Sequence, residues 1–416
     1  MRVRTYVLTV AGALALSFSV LAQQAPPAGP PQAPAAPPLG PPAPFYPHVV
    51  ATGLRGGYQV AATDMNKDGK IDLIGLGSQN PELIWYENPY WTPHVITREA
   101  PRMVNVDATD LDGDGIPELA LAYEFSTNSG QNPGKIAILT ANNKDPKALW
   151  TLKQIDVLPM TSHRVRFATI NGQKLLASAP IITAKSREGF ADPDHTSTPL
   201  HIYRPPAWKR EVVTEENLGV VHGLVINDWN GDGRSDLLTT GYLGLFMHSL
   251  DRNGSWTRSE IVKGDPGEWP RGGISDVAIG RFGGRRFFVT NEPFHGGQVV
   301  VYVQAADGAW PRNIIDTTIN NSHSLVLVDS DGDGSSEIVS GGTRGAPGTP
   351  RGAKPGAFFY KAADPAGQKW DRMVLDDSIA ANSCVAADIN GDRKMDLACI
   401  DAGNPWSLKW YENTRK

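Results

Sequence analysis

Residues 322–342 read SHSLVLVDSDGDGSSEIVSGG. Two short apolar runs are joined by the acidic loop DSDGDGSSE, and His323 stands six residues before the first aspartate. Short β-type runs bounded by a Gly/Asp-rich link are the signature of paired strands. The unit recurs along the chain. Intact loops are DMNKDGKID (Asp64–Asp72), DLDGDGIPE (Asp110–Glu118), DWNGDGRSD (Asp228–Asp236), DSDGDGSSE (Asp329–Glu337) and DINGDRKMD (Asp388–Asp396). Two more units keep the flanking runs without the acids, TINGQKLLA around Asn171 and GRFGGRRFF around Phe282.

A second series marks the same period. Trp-led runs begin at Trp91 (WTPHVI), Trp150, Trp208, Trp256, Trp310 and Trp370, and FYPHVV at Phe45 is a seventh with aromatics in place of Trp. Each unit reads as apolar strand, acidic loop, apolar strand, long loop, aromatic strand and Trp-led strand. Four strands per unit and seven units predict an all-β, seven-bladed β-propeller. The chain finishes with SLKWYENTRK, which matches ELIWYENPYW of the first unit but lacks a fourth strand. The unmatched PHVV near Phe45 is expected to complete the last blade and remove its exposed edge. The 33 prolines and 43 glycines, with no long 3.6-residue pattern, argue against a helical bundle.

Residues 1–22 carry two arginines, a short apolar run and small residues, and read as a secretory signal peptide cleaved after Ala22, with an uncleaved membrane anchor as the other reading. Residues 23–44, QQAPPAGPPQAPAAPPLGPPAP, form a Pro/Ala-rich spacer, leaving residues 45–416 as the propeller. The expected location is therefore secreted or periplasmic, with no later membrane span. A net charge of −5 with scattered basic residues argues against nucleic acid as a partner. The two cysteines, Cys384 and Cys399, flank the last acidic loop. A cross-strand disulfide and a pair of buried thiols both fit that placement.

In DxDxDGxxD, oxygens at positions 1, 3, 5 and 9 and the carbonyl at 7 can converge on one hard cation, and Gly at position 6 permits the turn. Calcium is the expected ion, in up to five structural sites. The ligands are Asp64, Asn66, Asp68 and Asp72; Asp110, Asp112, Asp114 and Glu118; Asp228, Asn230, Asp232 and Asp236; Asp329, Asp331, Asp333 and Glu337; and Asp388, Asn390, Asp392 and Asp396. Tight turns whose acids bind nothing are the alternative. The last loop has Arg393 in place of the glycine.

Aligned on these loops, the residue six before the first ligand opens each innermost strand. In order these are Tyr58, Val104, His163, His222, Ile274, His323 and Asn382. Three histidines thus share one equivalent position, expected at the channel mouth opposite the acidic loops. Structural histidines at strand starts are the alternative. Elaborate loops between second and third strands reach the same face, bringing Glu292 and His295 in NEPFHGGQ, His195, and Arg344 and Arg351. Two chemistries fit such a mouth. Imidazoles with Glu292 can hold a divalent transition metal, or a His or Tyr58 can remove a proton α to a carbonyl while Arg344 or a metal stabilises the enolate. Elimination at a sugar ring joins the two. No GxSxG elbow, Cys/His pair or phosphate-binding Gly loop occurs.

The acidic loops resemble FG-GAP/VCBS repeats across residues 45–416. More specifically, HRVRFATINGQ…SAPI, VVHGLVINDWNGDGRSDLLT, NEPFHGGQVVVY and SHSLVLVDSDGDGSSEIVSGGTRG look like the propeller domain of the aldos-2-ulose dehydratase family. The resemblance implies elimination of water from oxidised sugars, with His163, His222, His295, His323, Glu292 and Arg344 at the channel mouth. It departs at Phe294, where the family pattern expects Trp. A rhamnose–glucuronate lyase family, also a histidine-bearing propeller, is a cousin for substrate class. The leading reading is thus a metal-dependent carbohydrate lyase or dehydratase. A non-catalytic propeller that binds glycan or protein, or one with a purely structural role, stands beside it.

Overall fold

The computed structural model describes residues 41–126, 134–159, 161–182, 190, 198–216, 220–268, 272–319, 321–343 and 355–415. Strand β1 (Phe45–Ala51) comes first. Blade 1 follows as β2 (Gly57–Thr63), β3 (Asp72–Gly77), β4 (Leu83–Glu87) and β5 (Thr92–Thr97). Blade 2 is β6 (Asn105–Thr109), β7 (Glu118–Tyr123), β8 (Lys135–Thr140) and β9 (Thr151–Val157). Blade 3 is β10 (Thr161–Ile170), β11 (Gln173–Ile182), β12 (Leu200–Arg204) and β13 (Lys209–Thr214). Blade 4 is β14 (Val221–Asn227), β15 (Asp236–Gly241), β16 (Gly244–Leu250) and β17 (Trp256–Val262). Blade 5 is β18 (Asp276–Phe282), β19 (Arg285–Glu292), β20 (Gln298–Val303) and β21 (Arg312–Asp316). Blade 6 is β22 (Ser322–Val328), β23 (Glu337–Gly342), β24 (Gly356–Ala362) and β25 (Trp370–Asp376). Blade 7 is β26 (Ala381–Ala387), β27 (Asp396–Asp401) and β28 (Leu408–Asn413), completed by β1.

Each sheet is an antiparallel four-stranded blade, and the innermost strands touch in a closed ring, β2 to β6 and onward through β26 back to β2. The seven-bladed propeller read from the repeat is the observed fold. Second strands are buried along their length, as in LIGL of β3 or EIVSGG of β23, because neighbouring blades cover both of their faces. Among the described residues no helix is long and apolar enough to cross a membrane.

The seam closes as the sequence predicts. β1 pairs antiparallel with β28, with Phe45 opposite Asn413 and His48 opposite Trp410. The two WYEN strands behave alike. His48 stacks on Trp410 at 4.3 Å and bonds Glu412 at 2.9 Å; His94 stacks on Trp85 at 4.6 Å and bonds Glu87 at 2.8 Å. Asn413 and Asn88 each send their side-chain amide to the preceding blade, to Ser330 O at 2.7 Å and Ile389 O at 2.7 Å.

The two units without acids have lost the loop itself. Asn171-Gly172 and Gly283-Gly284, all with φ between 52° and 74°, make two-residue turns between first and second strands. Positive φ at both positions matches the right-handed twist of the flanking strands and suits Asn and Gly.

Cys384 lies opposite Cys399 across β26–β27, and the two form a disulfide with a Cα separation of 4.1 Å. Of the two sequence readings the bonded one is observed. The bridge closes a sequence separation of 15 residues. Cys384→Ser with Cys399→Ser is expected to lower unfolding free energy by about 3 kcal/mol through loop-closure entropy. Denaturant midpoints of the double variant and wild type check this.

Candidate functional site

Five of the seven innermost strands start with a β-bulge. The register with the second strand skips Tyr58, His163, His222, His323 and Asn382 in blades 1, 3, 4, 6 and 7. The pairings of blades 2 and 5, whose equivalent residues are Val104 and Ile274, run without a skip. A bulge takes one residue out of the ladder and re-aims its side chain. Here the bulged residues meet around the axis. Ring centroids are 4.9 Å apart for His163–His222, 5.2 Å for His222–His323 and 5.5 Å for Tyr58–His323. His295 joins them from the loop after β19, 4.9 Å from His222 and 5.7 Å from His323.

The hydrogen bonds assign the tautomers. His222 Nδ1 faces Ser275 O at 3.0 Å, and His323 Nδ1 faces Asn382 O at 3.1 Å. A carbonyl only accepts, so both Nδ1 atoms carry the proton and both Nε2 atoms keep a lone pair. His222 Nε2 lies 3.2 Å from His295 Nε2. Nitrogens of His222, His295 and His323 lie within 4.8 Å of one another. Two nitrogens at about 2.0–2.1 Å from one tetrahedral zinc are separated by roughly 3.3 Å, so the observed contact fits a shared cation. A proton shared between the two rings fits it as well.

His163 stands apart from this triad. Its Nε2 is 3.2 Å from Tyr58 Oη, and its Nδ1 is buried without a hydrogen-bond partner. Burial, and then the Arg164 guanidinium, holds His163 and His222 well below the usual imidazole value. Burial and then Arg164 bring His295 down to about 4. Burial, His295 and Arg164 bring His323 to about 3. Burial raises Tyr58, partly offset by Arg164. All four imidazoles are therefore neutral at pH 7, the state that accepts a proton or a metal.

Phe125, Phe190 and Phe294 wall the cluster, with Phe294 stacked on His295 at 4.2 Å. Beneath it, Tyr58 and His323 line a channel cavity of about 530 Å³ that also presents Asp107, Arg164, Arg166 and Asp276. Sequence reasoning missed these charged residues and the aromatic wall. Alternation after the strand-start residue was the available signal for Asp107, Arg164 and Arg166, which stand at odd offsets from Val104 and His163; Asp276, two residues after Ile274, does not follow it.

Glu292 is not brought to the histidines. Its carboxylate accepts from Thr290 Oγ1 at 2.6 Å, Tyr302 Oη at 2.8 Å and Arg312 Nε at 2.7 Å. This is a recurrent strut. Asp156 accepts from Tyr203 and Arg210, Asp316 lies against Tyr360 and Arg372, and Asp376 accepts from Tyr411 and Lys409. In those three the acid ends the previous blade's outer strand. In blade 5 Glu292 takes that place from within its own blade, and Asp265 remains 3.3 Å from Arg312. Glu292→Gln is expected to lower stability by about 1–3 kcal/mol, the cost of an unsatisfied buried network, and to leave metal binding at the histidines unchanged. Thermal melts and metal titrations of one preparation test both halves. His195, Arg344 and Arg351 lie outside the described residues.

The acidic loops sit at the far ends of the innermost strands. In all five, the position-nine acid accepts the backbone N–H of position two, from Met65, Leu111, Trp229, Ser330 and Ile389 at 2.7–3.1 Å. The first-position aspartate gathers the N–H groups of the turn, as Asp64 does from Asp68 and Gly69. Three carboxylates converge within metal reach in Asp110/Asp112/Glu118 and in Asp329/Asp331/Asp333. Burial, opposed by hydrogen bonds from Asn88 and Met65 and reinforced by Asp68 and Asp64, pushes Asp72 up to about 6.

Comparisons with known proteins agree with this architecture. Residues 64–121 match the FG-GAP-like repeat, and residues 131–305 match the aldos-2-ulose dehydratase beta-propeller domain. The second range includes His163, His222 and His295 and stops before His323. No curated protein sequence gives a significant match. Among solved structures, BBS1N in complex with ARL6DN is similar at 11% identity and TM-score 0.55, covering 90% of this chain and 98% of that one. An ancestral GH74 enzyme is similar at 10% identity and TM-score 0.58, covering 86% of this chain and 47% of that one. At these identities the likeness is one of fold.

Proposed function

We propose that this chain is an exported, calcium-stabilised carbon–oxygen lyase that acts on sugar-derived molecules by β-elimination. His222, His295 and His323 would hold a divalent transition metal, and Tyr58 with His163 would move the proton. One observation carries the reading: His222, whose Nδ1 is tied to a carbonyl, turns its free Nε2 to within 3.2 Å of His295 Nε2, and His323 brings a ring nitrogen within 4.8 Å of both rings. The match of residues 131–305 to a dehydratase propeller domain supports the reaction class.

The metal, when bound, polarises a carbonyl or carboxylate oxygen and so acidifies the neighbouring C–H. His163, neutral and bonded to Tyr58, accepts that proton. The C–H and β C–O bonds break, a C=C bond forms, and the proton passes to the departing hydroxyl, which leaves as water. The aromatic wall excludes solvent from the imidazoles, and the channel cavity takes the polar body of the substrate. The five acidic loops would hold calcium as scaffold.

The test is ultraviolet absorbance of unsaturated product from a panel of oxidised sugars and uronides, with calcium in excess throughout. Product formation that is lost on stripping transition metal and restored on its return is expected. No product on any member would sink the enzyme reading. Tyr58→Phe is expected to slow turnover by about 10²-fold while leaving metal content unchanged, measured by steady-state rates and metal analysis.

A second reading, a non-catalytic glycan-binding propeller, is favoured by the aromatic side chains around the mouth. It predicts sugar binding that survives loss of the metal.

A further inference from the structure

The bulged residues do more than face the axis, because their hydrogen bonds run around it. His222 donates to Ser275 O in the next blade, His323 to Asn382 O in the next, and Asn382 Nδ2 to Tyr58 O in the next, at 2.7–3.1 Å. A residue taken out of its own ladder thus ties its blade to the following one. Blades 1 and 3 depart from it: the Tyr58 hydroxyl faces His163 of blade 3 rather than the blade that follows its own. His163 makes no such bond, its Nδ1 is unpartnered, and its other nitrogen faces Tyr58.

The neighbouring residue fills the gap. Arg164 Nε donates to the carbonyl of His222 at 2.9 Å, the bond that the side chain at position 163 would otherwise make to the next blade. The guanidinium is buried and lies 3.7 Å from Asp276 in blade 5. Asp276 follows Ser275, whose carbonyl receives both His222 Nδ1 and Thr240 Oγ1. Thr240 Oγ1 in turn accepts the N–H of Gly223, at a position where a Cβ would come within 2.4 Å of that oxygen and 2.8 Å of Asp276 Oδ1. His222 is therefore held at its backbone carbonyl, its ring Nδ1 and its following amide by one closed set spanning three blades.

We infer that Arg164 is a positioning residue that fixes His222 for ligation and, by taking over the inter-blade bond, leaves the His163 imidazole free for proton transfer. The inference rests on the metal reading above, and it concerns a residue outside the proposed ligand set. Outer partners of ligating histidines set ring orientation and basicity, and their loss lowers metal affinity by about 10–100-fold.

Arg164→Met is expected to weaken Co²⁺ binding to the full-length protein by about 10–100-fold, with a changed visible absorption spectrum. Arg164→Lys, which can still donate to the carbonyl, is expected to recover most of the affinity. The calcium-dependent melting transition reports whether each variant is folded. A folded Arg164→Met protein with wild-type cobalt affinity and spectrum overturns the inference. Should Arg164→Met fail to fold, Asp276→Asn, which removes the carboxylate charge 3.7 Å from the guanidinium, decides it: wild-type cobalt affinity and spectrum in that variant overturns it too. Wild type that binds no cobalt refutes the metal reading instead. In that case the imidazole ¹⁵N shifts of His222 test the positioning: an Nδ1–H tautomer lost in the Arg164 variant sustains it, and an unchanged tautomer overturns it.

Discussion

His222→Ala is expected to abolish transition-metal binding and product formation while the propeller stays folded. His222 is the hub of the cluster, with ring neighbours His163, His295 and His323 all within 5.2 Å. Truncation removes the Nε2 that faces His295 and leaves two imidazoles, too few for a closed site of three protein ligands. The fall in affinity should exceed the about 100-fold upper range for outer-shell changes. Equilibrium dialysis with Zn²⁺ or Co²⁺ measures it, and a variant that retains wild-type stoichiometry would refute the ligand set. The same substitution has a pH signature in the metal-free protein. His222 is held well below its ordinary value by burial, so below about pH 6.5 the unfolded chain binds a proton that the folded chain does not. The folded state thus keeps its full stability above about pH 7 and loses it as pH falls. Removing the imidazole should flatten that loss, as read from denaturant midpoints between pH 7 and 5.

Calcium removal is expected to have the second large effect. In Asp110/Asp112/Glu118 and Asp329/Asp331/Asp333 the carboxylates converge, and without a cation they repel. A ligand at 100 times its Kd stabilises the folded state by about 2.7 kcal/mol per site, so these two loops alone predict about 5 kcal/mol. That corresponds to a melting point lower by roughly 6 °C in chelator than in excess calcium. Asp112→Asn with Asp331→Asn should remove most of the difference. Identical melts with and without calcium would identify the loops as metal-free turns, tied by the position-nine acids.

The blade count, the closing strand and the two degenerate units were legible because a repeat reports its own period. DINGDRKMD and TINGQKLLA differ in acids but align in their flanking runs. The histidine cluster was legible by the same alignment, since equivalent positions in a ring converge on its axis. Position alone does not reveal hydrogen-bond partners, and Glu292 shows the limit. It precedes His295 by three residues, yet its side chain is drawn to Tyr302 and Arg312, which sit far along the sequence on β20 and β21. Arg164 escaped notice for the opposite reason. Adjacent to a striking position but one residue off it, it acts through a backbone carbonyl that carries no sequence identity.

The seam between β1 and β28 is the longest-range strand pairing of the propeller. His48 meets Glu412 at a sequence separation of 364 residues, so β1 must find β28 before that blade exists. Contacts of such long range are slow to form because the whole loop must be closed first. Until then β1 and β28 are open edges, vulnerable to pairing with a neighbouring chain. A chain whose seam is still open would therefore be an incomplete, unclosed crescent, and a holdase covering those two edges would protect it until they pair.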